Sequence, residues 1–266
     1  FTRPIPSGHI VEVRSKIAYT GSTSMHIVNE VLSADPREGK FTRAADCMVI
    51  FVAMDENRKP TAVPPFEART DEEKRVEKAA VSRFDLRRDI EAAMRSQVYT
   101  SDSSAPELTT RFLAKPTDVN WGGNVHGGTA MEWIDEAATA CTMNWAGRTT
   151  IGVYAGGVRF YKPIHIGDLV EVRARILRTG RTSMNVSVHV HSGEPRKGLG
   201  GLSLALHSSM TYVAIDEEFN PQPVPHFTPV TDEDKRLHAH DLQLKALREK
   251  YQPLPLVEPA DADFTE

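Results

Sequence analysis

No stretch of this chain approaches the ~18 consecutive apolar residues that a membrane-spanning helix requires, so none is expected. Basic runs are missing as well. With 32 basic side chains against 36 acidic ones and a net charge of −4, the chain lacks the electrostatic footprint of a nucleic-acid binder. The opening residues, FTRPIPSGHI, hold no apolar segment of the kind a secretory signal carries, and no signal peptide is expected there. Cysteine is scarce: Cys47 and Cys141 fall at non-equivalent places and are expected to be reduced thiols in a cytoplasmic protein. What remains, 40% hydrophobic and 26% charged over 266 residues, is ordinary for a chain that buries a core.

What the chain does contain is itself, twice. TGSTSM at 20–25 returns as TGRTSM at 179–184, and a shift of 159 lays Phe1–Met25 on Phe160–Met184 with 14 of 25 residues identical. With a shift of 161, VAMDENRKPTAVP (52–64) lies on VAIDEEFNPQPVP (213–225), and TDEEKR (70–75) on TDEDKR (231–236). A period of this length is a duplicated domain rather than a solenoid repeat.

The second copy reads as an α+β domain. A short strand is expected over 109–116, followed by the turn-rich DVNWGGNVHGG (118–128). The spacing of Ala130, Trp133, Ile134, Ala137, Ala138, Cys141 and Trp145 predicts a helix over 129–147, with Gly147 as its C-cap. Strand patterns follow at 151–160, 168–178, 184–191 and 202–215, which predicts an antiparallel meander curled around that one helix. Between the copies, Thr70 and Glu73 form a capping-box pattern that starts a helix near Asp71, within a charged stretch running from Glu67 to Gln97. A counterpart is expected from Thr231 to about Tyr251, and both read as solvated connectors. The expected domains are 1–66, the C-terminal part of a first copy; 67–106, a helical linker; 107–230, a complete second copy; and 231–266, a C-terminal helix and tail.

GNVHGG before a helix is a place where chemistry can occur. Backbone N–H groups in a first helical turn lack acceptors, so Gly127 and Gly128 can hold an oxygen that gains negative charge, or can simply pack under a loop. Asp135, two turns into an apolar helix, is a candidate general base, while Glu132 and Glu136 read as solvent-facing acids. His189 with His191, and His238 with His240, have a two-residue spacing but no third ligand nearby, so they are expected on the surface with no metal. Cys141 falls on the small apolar face and reads as core; Trp121, Trp133 and Trp145 suit either an acyl tunnel or core packing.

Taken together, NVHGG, WIDEA eleven residues after Asn124, VRFYKPIHIGDLVEV and GRTSM resemble the hotdog-fold acyl-CoA thioesterases. The tandem arrangement is similar to that of the double-hotdog cytosolic acyl-CoA hydrolases, and the likeness spans residues 1–64 and 109–225. The resemblance implies tandem hotdog domains, acyl-CoA as substrate, and no cofactor beyond the coenzyme A of that substrate. It also implies a homo-oligomer in which three double hotdogs form a ring. Its catalytic asparagine and aspartate map to Asn124 and Asp135, one supplied by each hotdog across a shared interface. The thioester carbonyl would lie at Gly127 or Gly128, and CoA near His126, Arg181, Thr182 and Ser183. Asp135 would activate a water or attack directly.

One departure shapes the expectation. Residues 110–159 of the second copy have no counterpart before Phe1, so the first copy appears without its N-terminal strand and helix. The 266-residue chain made alone is therefore expected to be poorly folded in its first 66 residues and to have little or no thioesterase activity. A hydratase or dehydratase built on His126 and Asp135, and a non-catalytic acyl-CoA-binding module, are the competing readings.

Overall fold

The computed structural model describes residues 1–251 and 254. They divide into two compact units: Phe1–Arg88 together with Glu249–Tyr251 and Leu254, and Asp89–Arg248. The boundary falls inside the expected linker.

In the first unit, β1 (Ile10–Thr20), β2 (Ser24–Ala34) and β3 (Thr42–Val52) form an antiparallel sheet in that order. β2 is hydrogen-bonded on both sides, while β1 and β3 each pair along one edge. One face is covered by α1 (Asp71–Val81), through Ala18, Val28, Val76 and Ala80. The capping box forms as read: the Thr70 hydroxyl accepts from Glu73 N–H, and the Glu73 carboxylate accepts from Thr70 N–H. The helix expected to run on stops after Val81 and resumes as α2 (Phe84–Arg95). The Ser82 hydroxyl donates to the Ala79 carbonyl at 2.9 Å, a local bond that competes with continuation of the helix. The opposite face of the sheet is open: Val11, Val13, Ile17, Val49 and Phe51 are all exposed.

The second unit is a complete hotdog. β4 (Glu107–Leu113), α3 (Gly127–Ala146), β5 (Thr150–Phe160), β6 (Leu169–Thr179), β7 (Ser183–Gly193) and β8 (Ser203–Ala214) build a five-stranded antiparallel sheet of order β4-β6-β7-β8-β5. The meander is therefore confined to β6-β7-β8. β5 crosses to the far edge to pair with β8, a choice that strand periodicity does not encode. The alternating Met184, Val186, Val188 and Val190 point inward with Val170, Val172 and Ile176, all at most 1% exposed, against Ala130, Ile134, Ala137 and Cys141 of α3. Gly147 ends α3 with φ 65°, a left-handed geometry that glycine adopts without strain.

On the outer face lies α4 (Asp232–Arg248), and here the expectation of a solvated connector fails. Glu233, Asp234, Leu237, His240, Asp241 and Leu244 are buried. Arg175 on β6 bonds Glu233 at 2.8 Å, and Arg178 bonds Asp241 at 2.7 Å, so the helix's charges are consumed by the sheet beneath it.

The duplication persists in fine geometry. β1 and β6 each carry a bulge at the same place, at Ala18 and Leu177, and β3 and β8 repeat another at Ala44 and Ala205. Arg58 and Phe219, with φ 59° and 63°, occupy the same turn in each copy.

Candidate active site

The loop before α3 is tied down at several points. The Asn120 side-chain oxygen accepts from the N–H groups of Gly122 (2.8 Å) and Asn124 (3.1 Å), and Asn120 N–H donates to the Asn124 carbonyl at 2.7 Å. Val125 N–H reaches Ile164 O at 2.8 Å, and His126 N–H reaches Asp118 O at 2.7 Å. Asn124 sits opposite His165, and its own Oδ1 is buried with no hydrogen-bond partner among the described residues.

α3 begins two residues earlier than its sequence pattern indicates, with His126 as N-cap. The His126 Nδ1 accepts from Gly128 N–H at 3.0 Å. Of the two amides singled out for a carbonyl oxygen, Gly128 is therefore already engaged. Gly127, at the first helical position, has no acceptor within the helix. The Phe160 ring stands beside it, 3.5 Å from where a side chain on Gly127 would begin.

Two turns on, Asp135 is exposed but not free. The Tyr212 hydroxyl donates to its Oδ1 at 2.5 Å and lies 3.2 Å from its backbone carbonyl. Burial, and then the adjacent Asp135 carboxylate, hold the Tyr212 phenol well above its usual pKa, so it remains a donor. Glu132 and Glu136 are exposed as expected.

The repeated hexapeptide is the β6–β7 turn. Gly180 N–H donates to Ser183 O at 2.7 Å, while the carbonyls of Thr182 and Arg181 receive Ala214 N–H (3.0 Å) and Val224 N–H (3.0 Å) from the chain returning after β8. The first copy repeats these bonds: Gly21 to Ser24, Ala53 to Thr23 and Val63 to Ser22. Register places Met184 against Tyr212 and Ser183 against Val213, so Arg181, Thr182 and Ser183 lie at the end of the sheet where Tyr212 meets Asp135.

Asn124 and Asp135 are not brought together within this unit. From Gly127 to Asp135 the helix alone rises about 12 Å. His126 is farther still from Asp135, and its ring is occupied by capping.

The remaining candidates resolve by burial. Cys141 is buried, and burial pushes its thiol up to about 12, as suits a core residue rather than a nucleophile. Trp133 packs on Phe112, and Trp145 donates to the Pro225 carbonyl beside Phe227; Trp121 is fully exposed. The histidines expected on the surface are not all there. His189 stacks on His207 with ring centroids 3.9 Å apart and meets the Tyr99 ring edge-on at 4.2 Å, and His240 is buried on α4. No group of three or more metal-ligating side chains occurs among the described residues.

The thioesterase superfamily matches residues 122–199. An uncharacterised acyl-CoA thioester hydrolase of Zymomonas mobilis is 34% identical over 142 residues, covering 50% of this chain and 91% of that relative. The cytosolic acyl coenzyme A thioester hydrolase of Mus musculus is 25% identical over 271 residues, covering 96% of this chain and 71% of its own. Among solved structures, an apo-hexameric acyl-CoA thioesterase superposes with TM-score 0.52 at 33% identity, covering 57% of this chain and 97% of that one. The acyl-CoA hydrolase of Staphylococcus aureus, in complex with butyryl coenzyme A, gives TM-score 0.50 at 30% identity, covering 55% and 88%. The staphylococcal enzyme has also been solved with alanine in place of an asparagine at its position 28, an aspartate at 43 and a threonine at 60. With relatives matched across both sheets, the chain belongs to the thioesterase superfamily, among its acyl-CoA thioester hydrolases.

Proposed function

We propose that the protein hydrolyses acyl-CoA thioesters to free fatty acid and coenzyme A, with Asp135 as the general base. The observation that carries this reading is the carboxylate itself: Oδ1 is held by Tyr212, which leaves Oδ2 to take a proton from water. The water oxygen attacks the thioester carbonyl carbon, the C–S bond breaks, and the proton held by Asp135 passes to the departing thiolate. Gly127 N–H, at the positive end of α3, stabilises the oxygen that gains charge. Because a thiolate leaves readily, the reaction calls for no cofactor beyond the coenzyme A of the substrate.

The asparagine is better placed at Asn120 than at Asn124. In the staphylococcal enzyme the substituted asparagine and aspartate, at 28 and 43, are fifteen residues apart; Asn120 precedes Asp135 by the same interval. Its Oδ1 is committed to the loop and its amide nitrogen donates one N–H to the Val125 carbonyl at 3.5 Å, so its second N–H is the one that would hold a carbonyl oxygen or a water. Asn120 and Asp135 of one hotdog then serve different sites, each completed by a second hotdog packed beside it. The hexameric state of the apo acyl-CoA thioesterase supports a ring of six such folds, which for a double hotdog is a trimer of chains. The CoA portion is assigned to the turn of Arg181, Thr182 and Ser183, beside Asp135, with His126 at the acyl end. A cytoplasmic setting agrees with the mouse relative's description as cytosolic, and among the described residues no helix is long and apolar enough to cross a membrane.

A hydratase would need His126 and Asp135 to act on the two adjacent carbons of one substrate double bond. They stand roughly 13 Å apart along α3, and the His126 ring caps the helix. Thiol release from a fatty acyl-CoA, followed with a thiol dye, tests the proposal. Asp135→Asn should lower kcat by ~10²–10⁴ while acyl-CoA binding is retained. Retention of more than a tenth of the parent kcat removes Asp135 from the mechanism. Consumption of an enoyl-CoA chromophore without thiol release points to the hydratase.

A further inference from the structure

We infer that Tyr212 is the positioning residue of the Asp135 carboxylate, and that Gly152 is the gap in the sheet that admits it; the inference rests on the reading of Asp135 as the reacting carboxylate. An aspartate exposed on a helix ordinarily samples several rotamers. Here one oxygen is fixed by a hydroxyl whose ring cannot swing. Tyr212 is 0% exposed, lies against Met184 in register and has its hydroxyl on Asp135 Oδ1 at 2.5 Å. The phenol stays protonated because burial and the neighbouring carboxylate both disfavour its anion, so it acts as a fixed donor rather than as an acid in the reaction.

Gly152 on β5 faces the same two groups. A Cβ built there would lie 3.5 Å from the Tyr212 ring and 3.6 Å from Asp135 Oδ1, within ordinary contact of both. Any larger side chain at this position would share the Tyr212 hydroxyl's space beside the carboxylate. The staphylococcal enzyme carries a threonine seventeen residues beyond its substituted aspartate, at 60 against 43, and Gly152 follows Asp135 by the same interval. A threonine hydroxyl at 152 would start within reach of Asp135. In this chain the place is empty of side chain, and a hydroxyl arrives instead from the neighbouring strand. The internal repeat adds a second observation. Phe51 occupies the equivalent of Tyr212 in the first copy, opposite Met25 as Tyr212 is opposite Met184. There, among the described residues, no helix lies on that face of the sheet, and Phe51 is 54% exposed.

The test compares kcat and KM for thiol release from one fatty acyl-CoA in the parent, Asp135→Asn, Tyr212→Phe, and the double variant Tyr212→Phe/Gly152→Thr. Losing a hydrogen bond to a charged group should lower kcat about 10- to 100-fold in Tyr212→Phe, with KM changed little. Adding threonine at 152 should recover a substantial part of that loss by returning a hydroxyl to Asp135. If Asp135→Asn keeps full activity, the reading of Asp135 fails and this inference goes with it. If Asp135→Asn is inactive but Tyr212→Phe matches the parent, only the positioning role is overturned. A kcat loss in Tyr212→Phe that threonine does not relieve would mark Tyr212 as a packing residue and overturn the inference as well. Thermal melts of each variant separate loss of fold from loss of rate.

Discussion

At the scale of single residues, the molecule separates groups that a strand pattern cannot distinguish. Asp135 was legible because an acid in an apolar helix stands out from its neighbours. Asn120, which we propose in place of Asn124, was not singled out, because NVHGG draws attention to the asparagine nearest the glycines, and Asn120 looks like an ordinary loop residue until its bonds to Gly122 and Asn124 are seen. Asn120→Ala should therefore cost more in kcat than Asn124→Ala, by about tenfold or greater; equal losses in thiol release would put the two asparagines on the same footing. The histidines were misread for a different reason. His189 and His207 lie on the sheet face away from α3, and what packs over that face, Tyr99 and α4, removes them from water. Burial first, and then the charges of His240 and His191, pull His207 down to about 3. The unfolded chain protonates a histidine near ~6.5, so below that pH it binds a proton that folded His207 refuses. Stability is fully present above ~6.5 and falls as pH drops toward the folded value, by up to about 1.4 kcal/mol per pH unit for this one ring. His207→Gln should remove that slope from urea unfolding measured between about pH 6 and pH 4. All three tryptophans lie in Asp89–Arg248, so their fluorescence reports this unit. An unchanged slope would mean that His207 titrates normally.

At the scale of elements, the same ion pair occurs in both copies with different consequences. Lys16 bonds Glu72 of α1 at 3.0 Å with side chains 68% and 41% exposed; the equivalent Arg175 and Glu233 of α4 meet at 2.8 Å with both at 5%. Glu233 also accepts from the Thr100 N–H and hydroxyl, and Arg175 donates to Glu107 and to the Thr100 carbonyl. Glu233→Ala should destabilise its unit by about 2–3 kcal/mol because a buried guanidinium loses one of its two carboxylate partners and keeps Glu107. Glu72→Ala should cost at most about 1 kcal/mol. Tryptophan fluorescence in urea measures the first and far-UV circular dichroism the second; equal costs would contradict the burial argument. Sequence periodicity gave the strands of the second hotdog to within two or three residues, because alternating valines on a two-residue period admit one face only. It misjudged α4, whose acidic composition matches that of a solvated helix. The information that Arg175 and Arg178 wait beneath it lies on another element, 58 residues from Glu233 and 63 from Asp241, and becomes visible only when the sheet is assembled.

At the scale of the whole molecule, the duplication sets both what is repeated and what is left open. Bulges, turns and the pinned hexapeptide hairpin recur because each copy must bend and close the same sheet. The inner faces then diverge. Val172 is 0% exposed against α3, while its counterpart Val13 is 58% exposed. Val172→Lys should unfold the second unit, at a cost of about 4 kcal/mol or more, because it buries a charge without a partner. Val13→Lys should change stability of the chain by no more than about 0.5 kcal/mol; a large loss there would show that this face is covered in solution.

The most direct test of the account is a single turnover of a fatty acyl-CoA by excess protein in water enriched in oxygen-18, with thiol release followed in parallel. General-base catalysis by Asp135 predicts one thiol released per substrate, the label in the freed carboxylic acid, and none in the Asp135 carboxylate when its peptide is weighed. Label incorporated at Asp135 would mean that the aspartate attacks the thioester itself. No thiol released would contradict the assignment of this chain as an acyl-CoA hydrolase.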